Sequence, residues 1–172
     1  MENLLKSIAL SLKTKNWPAA IFMTLSIPDI CAALESDNGK TSKKKYIKWF
    51  DKYLAETYKK RIGARKKEHT FLTGNDMYAF RCSMLHEFSD DTKSQDAKDK
   101  IGKFRMTISS GHLNYNCDVT PEEIIDGDEL HIDIPCFCIE VCDAAKKWMQ
   151  SNPSLLVNTK TAYILDFSDN NT

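Results

Sequence analysis

Apolar side chains recur at intervals of three and four residues along most of the chain, which is the pattern of amphipathic helices. This pattern predicts helices over Asn3–Leu12 and Trp17–Leu25, then a short helix that Pro28 opens. A longer helix is predicted from Lys45 to about Arg61. The polar stretch SDNGKTSKK before it and the basic stretch IGARKKEH after it are predicted to be loops.

A further helix is predicted to carry the stretch YAFRCSMLHEF, residues 78–88. Three polar residues are alternative N-caps for it, namely Thr73, Asn75 and Asp76. Spacings of three and four predict a buried stripe made of Met77, Phe80, Met84, Leu85 and Phe88. Arg81 and His86 interrupt this apolar run. Because an unpaired buried charge is costly, these two side chains require an explanation.

Beyond residue 100 the pattern changes to short alternations of apolar and polar residues, which are typical of strands. The segments KFRMTIS, HLNYNCDV and LHIDIP show this alternation, and SSGH and IDGDE are predicted turns. Pro135 then opens a long helix. Its buried face is predicted to contain Phe137, Val141, Ala145 and Trp148, with Cys138, Cys142 and Met149 alongside. The stretch TAYILDF is predicted to be a last strand or a packed tail.

The sequence therefore predicts a mainly α fold, a helical bundle with a small antiparallel β insertion at about residues 100–135. A chain of 172 residues, 42% of them hydrophobic, is long enough for one substantial core, so we expect a single domain over residues 1–172. No run approaches the roughly 18 consecutive apolar residues of a membrane span, and the first 20 residues lack the order of a signal peptide. We expect a cytoplasmic protein without a membrane segment.

The six cysteines fall inside predicted helices and strands, so we expect reduced thiols that fill apolar space. The segment CFCIEVC has no matching histidine pair for a zinc site, and we expect neither a metal nor another cofactor. His69, His112 and His131 are expected at the surface or in turns. The run GKT at residues 39–41 resembles the end of a phosphate-binding loop, but Leu34 stands where its first glycine is required.

Basic residues are concentrated between Lys40 and Lys67, although the formal net charge of the chain is zero. This segment holds 12 of the 24 basic residues and only two acids, Asp51 and Glu56, which leaves a local charge of +10. One interpretation is an amphipathic helix whose lysine heads stay in water. The other is a surface that binds a polyanion such as RNA. Its predicted residues are Lys43, Lys44, Lys45, Lys59, Lys60, Arg65, Lys66 and Lys67.

Arg81 and His86 are five positions apart on the predicted helix. On an α-helix this separation is about 140° of rotation and ~7.5 Å of rise, so the two side chains would point to different places. A twofold axis could instead bring the arginine of one chain near the histidine of another. We therefore expect a homodimer with the helix Asp76–Phe88 at or near its interface.

The run RCSMLH, on a helix near the middle of a mostly helical chain, resembles the R-x(4–6)-H motif of the HEPN superfamily. Active members are commonly dimeric, metal-independent ribonucleases of bacterial defence and toxin systems. The resemblance implies a catalytic pair at Arg81 and His86, an RNA substrate, and an antitoxin or other protein partner. In that family the residue after the arginine is often polar, whereas here it is Cys82. The predicted strands would be an insertion into the helical core.

In such a ribonuclease His86 would move protons, because histidine changes its protonation state near neutral pH. Arg81 would stabilise the charge that builds on phosphate, for which its planar fork is suited. Tyr78, Ser83 and Glu87 are auxiliary candidates.

Three other interpretations remain open. The chain could be a catalytically silent helical module that binds protein or nucleic acid. It could also bind a small molecule or nucleotide, with Arg81 holding a phosphate or carboxylate inside the bundle. In a purely structural interpretation, Arg81 pairs with an acid such as Asp76 or Glu87, and His86 caps the helix end.

Overall fold

The structure, a computed structural model, describes residues 1–92, 98–99, 101–108, 114–119 and 124–157, with the backbone alone for 114–119 and 124–128. Helices make up most of it, as the sequence predicts. The α-helices are α1 (Glu2–Lys13), α2 (Trp17–Leu34), α3 (Lys43–Tyr53), α4 (Gly74–Cys82), α5 (Ile134–Ser151) and α6 (Pro153–Val157). A 3-10 turn covers Ala55–Tyr58, and a π turn covers Ser83–Glu87.

Helix α2 runs without interruption through Pro28, so the predicted break before this proline is wrong. Proline removes one helical hydrogen bond, but most of the surrounding residues are buried, among them Leu25, Ile27 and Cys31. Tertiary packing therefore holds the helix together where local propensity would end it. By length and composition, α2 is long and apolar enough to cross a membrane. This is weak evidence for a membrane span, because the core helix of a soluble protein passes the same test.

Helix α3 is shorter at its C-terminal end than predicted. It begins at Lys43, where Ser42 caps it, and ends at Tyr53 instead of about Arg61. The residues that follow the 3-10 turn form an antiparallel hairpin of β1 (Lys59–Ile62) and β2 (Lys67–Thr70). The stretch predicted as a basic loop is thus the turn and second strand of this hairpin. Strands are predicted from alternating apolar and polar residues. The two strands of this hairpin are mostly charged and show little of this alternation, so the sequence did not predict them.

A second, three-stranded sheet contains β3 (Lys103–Thr107), β4 (Asn114–Val119) and β5 (Ile124–Asp133), in the order β3-β5-β4. Strands β4 and β5 pair antiparallel, whereas β3 pairs parallel with β5, with Lys103 opposite Glu129. The predicted turn IDGDE lies within β5 and is wrong. The predicted turn SSGH and the stretch TAYILDF both fall entirely outside the described residues.

One hydrophobic cluster joins the helices to the second sheet, because Phe104 of β3 and Ile132 of β5 belong to the same buried set as the helical residues. The predicted face of α5 is confirmed, since Phe137, Val141, Ala145 and Trp148 are all fully buried. Cys138 is buried as well, and Cys142 is partly buried. In the predicted stripe of the motif helix, Met77, Phe80 and Met84 are buried but Phe88 is 69% exposed.

Candidate functional site

Helices α3 and α4 pack antiparallel, and this pairing sets the position of Arg81. A Cβ atom on Gly74, the first residue of α4, would lie 2.8 Å from Cγ2 of Ile47 in the middle of α3, so only glycine allows this close approach. Further along α4, the ring of Tyr78 contacts the ring of Tyr46 near the start of α3, with centroids 5.3 Å apart. Arg81, one turn beyond Tyr78, therefore lies at the N-terminal end of α3.

A π turn brings Arg81 and His86 together within one chain. Thr73 caps α4, one of the three predicted caps, and the helix continues as α-helix to Cys82. From Ser83 to Glu87 it becomes a π turn, in which the backbone N–H of Phe88 bonds to the carbonyl of Ser83. Residues five apart lie on one side of a turn with i→i+5 bonds.

The distance between Nη1 of Arg81 and Nε2 of His86 is 3.1 Å. The predicted divergence of these side chains is therefore wrong, because it assumed a regular α-helix. The geometric reason for expecting a dimer does not hold, although the homodimer itself stays a prediction.

Ser83 anchors the π turn to the segment that follows it. This residue is fully buried, and its hydroxyl donates to the carbonyl oxygen of Asp91 at 2.9 Å. That segment is in turn joined to the second sheet, since the N–H of Phe104 donates to the carbonyl of Asp90. A serine hydroxyl that bonds to backbone competes with regular helix geometry. The hydroxyl of Ser83, an auxiliary candidate, is thus engaged in holding the turn.

Arg81 is held from the other side by Asp29 of α2. Nε of Arg81 lies 2.8 Å from Oδ2 of Asp29, and the two side chains are only 21% and 15% exposed. The other oxygen, Oδ1 of Asp29, accepts a hydrogen bond from the hydroxyl of Thr41 at 3.1 Å. In the purely structural interpretation of the sequence, Asp76 or Glu87 was the expected acid partner. Asp76 instead accepts backbone N–H groups of Asp99 and Ile101.

Asp29 was missed, although a usable signal was present. It stands in the apolar run IPDICAAL in the same way that Arg81 stands in its own apolar run. Two opposite charges in separate apolar helices are candidates for a pair, because each would be costly to bury alone.

Electrostatic interactions within the site raise the pKa of Arg81 and of Tyr78. Burial lowers the pKa of Arg81, but Asp29 and the neighbouring Cys82 raise it by more, so the net shift is upward and the guanidinium stays charged. Burial, with the charge and hydrogen bond of Cys82, also raises the pKa of Tyr78. Because arginine only donates hydrogen bonds, Nε2 of His86 must be the acceptor in their contact. A hydrogen bond in this contact requires the tautomer of His86 that carries its proton on Nδ1.

The predicted basic surface divides into two separate patches. We call the first the loop patch and define it as Lys40, Lys43 and Lys44, three exposed residues beside the N-terminus of α3. Thr41, which follows Lys40 in the chain, bonds to Asp29, so this patch adjoins Arg81. The ammonium group of Lys45 is held internally by the hydroxyl of Ser36 at 2.7 Å and the carbonyl of Lys40 at 2.9 Å.

The second patch lies on the β1–β2 hairpin, which follows the opposite, C-terminal end of α3. We call it the hairpin patch, and its residues are Lys59, Lys60, Arg61, Arg65, Lys66 and Lys67. Acids accompany it. Lys59 pairs with Glu56, and Glu68 stands opposite Arg61 in the hairpin. The patch is thus separated from Arg81 by the length of α3, about 15 Å at ~1.5 Å per residue.

The remaining candidate chemistry is not gathered into a site. Among the residues that the structure describes, no group of three or more His, Cys, Asp or Glu side chains could hold a metal. His69 is buried on β2 against the ring of Phe71, so its predicted surface position is wrong. His131 lies on β5, 2.9 Å from Glu129, and His112 lies outside the described residues.

Two surface cavities of about 310 and 240 Å³ border α1, and neither includes Arg81 or His86.

Comparisons of the chain with protein-family models, curated proteins and solved structures gave no significant match. The resemblance to the HEPN superfamily therefore depends on the motif residues themselves.

Proposed function

We propose that the protein is a metal-independent ribonuclease of the HEPN type, with Arg81 and His86 as its catalytic residues. The observation that carries this proposal is the 3.1 Å contact between Nη1 of Arg81 and Nε2 of His86. It joins a permanent cation to an imidazole nitrogen that can accept a proton, and His86 is exposed to solvent, where an RNA strand can reach it.

The chemistry follows from these groups. A phosphate of the RNA would draw the fork of Arg81 toward its oxygens, which frees Nε2 of His86 as a base. This nitrogen takes the proton of the 2′-hydroxyl, the 2′-oxygen forms a bond to phosphorus, and the bond from phosphorus to the 5′-oxygen breaks. The imidazolium then returns its proton to the departing 5′-oxygen. Arg81 stabilises the charge on phosphate throughout.

Asp29 would act as a positioning residue. It occupies Nε of Arg81, so the terminal nitrogens of the guanidinium are left to contact phosphate. Tyr78 stacks beside the guanidinium, whose carbon lies 5.9 Å from the ring centroid. The hydroxyl of Tyr78 stays protonated near neutral pH because its pKa is raised.

The proposal is tested by cleavage of single-stranded RNA in the presence of EDTA. We expect the wild-type chain to cleave, and Arg81→Ala and His86→Ala each to remove that activity. The double variant should be little worse than either single variant, because residues that act as one unit are not additive. Lys146→Ala, at an exposed position of α5, serves as a matched control that leaves the site intact. Wild-type cleavage that survives in well-folded single variants would disprove the catalytic assignment.

The catalytically silent module is the second candidate, and the ion pair between Arg81 and Asp29 favours it. This pair satisfies the arginine without any ligand, as a structural role requires. In that case the wild type would not cleave RNA, and Arg81→Ala would lower the free energy of unfolding by ~1–3 kcal/mol. A small-molecule site at Arg81 stays a further prediction.

The predicted homodimer can be separated from the catalytic proposal, since the site assembles within one chain. A monomer is sufficient for this chemistry if the cleavage rate per chain stays constant on dilution from micromolar to nanomolar concentration. Light scattering at the same concentrations reports whether a dimer forms. An antitoxin or other protein partner remains a further prediction from the family resemblance.

A further inference from the structure

Phe88 ends the π turn in a conformation that bulky residues rarely adopt. Its φ is 50° and its ψ is 42°, in the left-handed region where glycine or asparagine is usual. Burial does not compensate for this conformation, because 69% of the residue is exposed. An apolar side chain that is both strained and exposed is poorly explained by stability, and such outliers are concentrated at functional sites.

The surroundings of Phe88 place it on the same side of α2 as the candidate site. Its ring meets the ring of Phe22 edge-on, with centroids 5.7 Å apart and an angle of 88° between the planes. Phe22 and Asp29 are seven residues apart on α2, two turns along one face, which is on the order of 10 Å. Since Asp29 holds Arg81, an exposed aromatic ring lies within a short reach of the Arg81–His86 pair.

We propose that Phe88 is a stacking platform for a base of single-stranded RNA, beside the nucleotide whose phosphate Arg81 holds. This inference rests on the proposed function and identifies a part of its substrate. Because 69% of Phe88 is exposed, its side chain has surface available for contact with a base. Every base has a π face, so stacking of this kind is tolerant of sequence. Phe88 is a positioning residue, because it places the strand without touching the reacting phosphate.

The experiment measures affinity without cleavage, using a 2′-O-methyl RNA oligonucleotide, whose blocked 2′-oxygen cannot attack phosphorus. A second oligonucleotide with the same phosphates but abasic sugars separates base stacking from charge. The wild type should bind the base-containing oligonucleotide roughly 5- to 140-fold more tightly than the abasic one, the range typical of one stacked base. Phe88→Gly should lose this preference, and Phe88→Trp should keep it.

Thermal melts decide between a binding role and a structural one. Phe88→Gly should melt no earlier than the wild type, because glycine adopts the left-handed conformation without strain. Leu10→Ala is the matched control, since it removes an exposed apolar side chain from α1, and it should change neither binding nor the preference for bases. Earlier melting of Phe88→Gly with equal loss of affinity for both oligonucleotides would mean a structural role and overturn the proposal.

The remaining outcomes separate this proposal from the ribonuclease. A Phe88→Gly variant that keeps the full preference for bases overturns the platform, even if the wild type cleaves RNA. If the chain does not cleave RNA but its preference for bases depends on Phe88, the stacking platform is supported and the ribonuclease proposal is disproved. A wild type that binds neither oligonucleotide overturns both.

Discussion

Both ends of the α3–α4 pair carry clustered positive charge, but they are built differently. At the N-terminal end of α3, the loop patch adjoins Asp29, which binds both Thr41 and Arg81. At the C-terminal end, the hairpin patch has more basic residues, but its charges extend along two short strands, with Lys59 paired to Glu56. Charge density alone therefore does not identify a site. What distinguishes the first end is a network of partly buried contacts that holds Arg81 and Asp29 in place.

The acids at the two ends also differ. Asp29 accepts two hydrogen bonds and faces a guanidinium, so its charge is compensated. At the hairpin end, burial raises the pKa of Asp51 and of Glu140. An acid whose ionised form is disfavoured by burial weakens the fold at neutral pH. The first end is thus organised around a stable charge pair, and the second contains carboxylates whose ionisation opposes folding.

The largest effect that sharpens this comparison is expected from Asp29→Asn. Asparagine keeps an oxygen for Nε of Arg81 but loses the charge, so the guanidinium is less well positioned. We expect cleavage to fall on the order of 100-fold, the typical loss for a misplaced catalytic group. The free energy of unfolding should fall by ~1–2 kcal/mol. Single-turnover cleavage and chemical denaturation measure the two effects.

Asp51→Asn is the matched control for that prediction, since it removes the same charge from the other end of α3. We expect it to leave cleavage unchanged and to increase stability slightly, because burial disfavours the ionised Asp51 carboxylate. Equal loss of cleavage in both variants would show that the two ends do not differ in function.

The next effect tests the close packing of α4 against α3 at the end opposite the candidate site. In Gly74→Ala the new Cβ atom would lie 2.8 Å from Cγ2 and 3.3 Å from Cα of Ile47, so α3 and α4 must move apart. We expect a loss of ~1–3 kcal/mol of stability, although alanine is the better helix former. Urea denaturation measures it. The loss should be smaller when Ile47→Ala is already present, and an unchanged midpoint in the single variant would contradict the close approach.

A smaller effect compares the two patches directly. Lys43→Glu with Lys44→Glu should weaken binding of single-stranded RNA and reduce the salt dependence of the affinity by ~1.4 in log–log slope, since each lost phosphate contact removes about 0.7. The charge-matched pair Arg65→Glu with Lys66→Glu should change the slope less, because these residues lie on the hairpin, away from Arg81. Fluorescence anisotropy over a salt series measures both. A greater effect from the hairpin pair would reverse the proposed path of the RNA.

The sequence predicted the helices with the strongest periodicity and failed where tertiary contacts override local pattern. The buried face of α5 follows a regular spacing and is confirmed. The continuity of α2 through Pro28 and the hairpin of β1 and β2 depend on packing and pairing with distant residues, which a local pattern does not contain.

The candidate site shows the same limit more sharply. The sequence singled out Arg81 and His86 because they are polar residues in an apolar run. It did not predict how their side chains are arranged. It depends on a π turn that the buried Ser83 ties to Asp91, and on an acid 52 positions away in the chain. Side chains five residues apart point in different directions on an α-helix, but they lie on one side of a π turn. No periodicity in residues 78–88 distinguishes the two.

The smallest predicted effect concerns Glu140 at the hairpin end. The hydroxyl of Tyr58 donates to this carboxylate at 2.7 Å, yet burial raises its pKa. The folded state therefore binds a proton more readily than the unfolded state, and stability falls as the pH rises from the unfolded pKa of Glu through the raised folded value. Glu140→Gln keeps an acceptor for Tyr58 and removes the charge. We expect a slightly higher melting temperature than the wild type at pH 7.5, with the difference vanishing near pH 4, where both side chains are neutral. A difference that persists or grows at low pH would mean that packing, and not ionisation, separates the two variants.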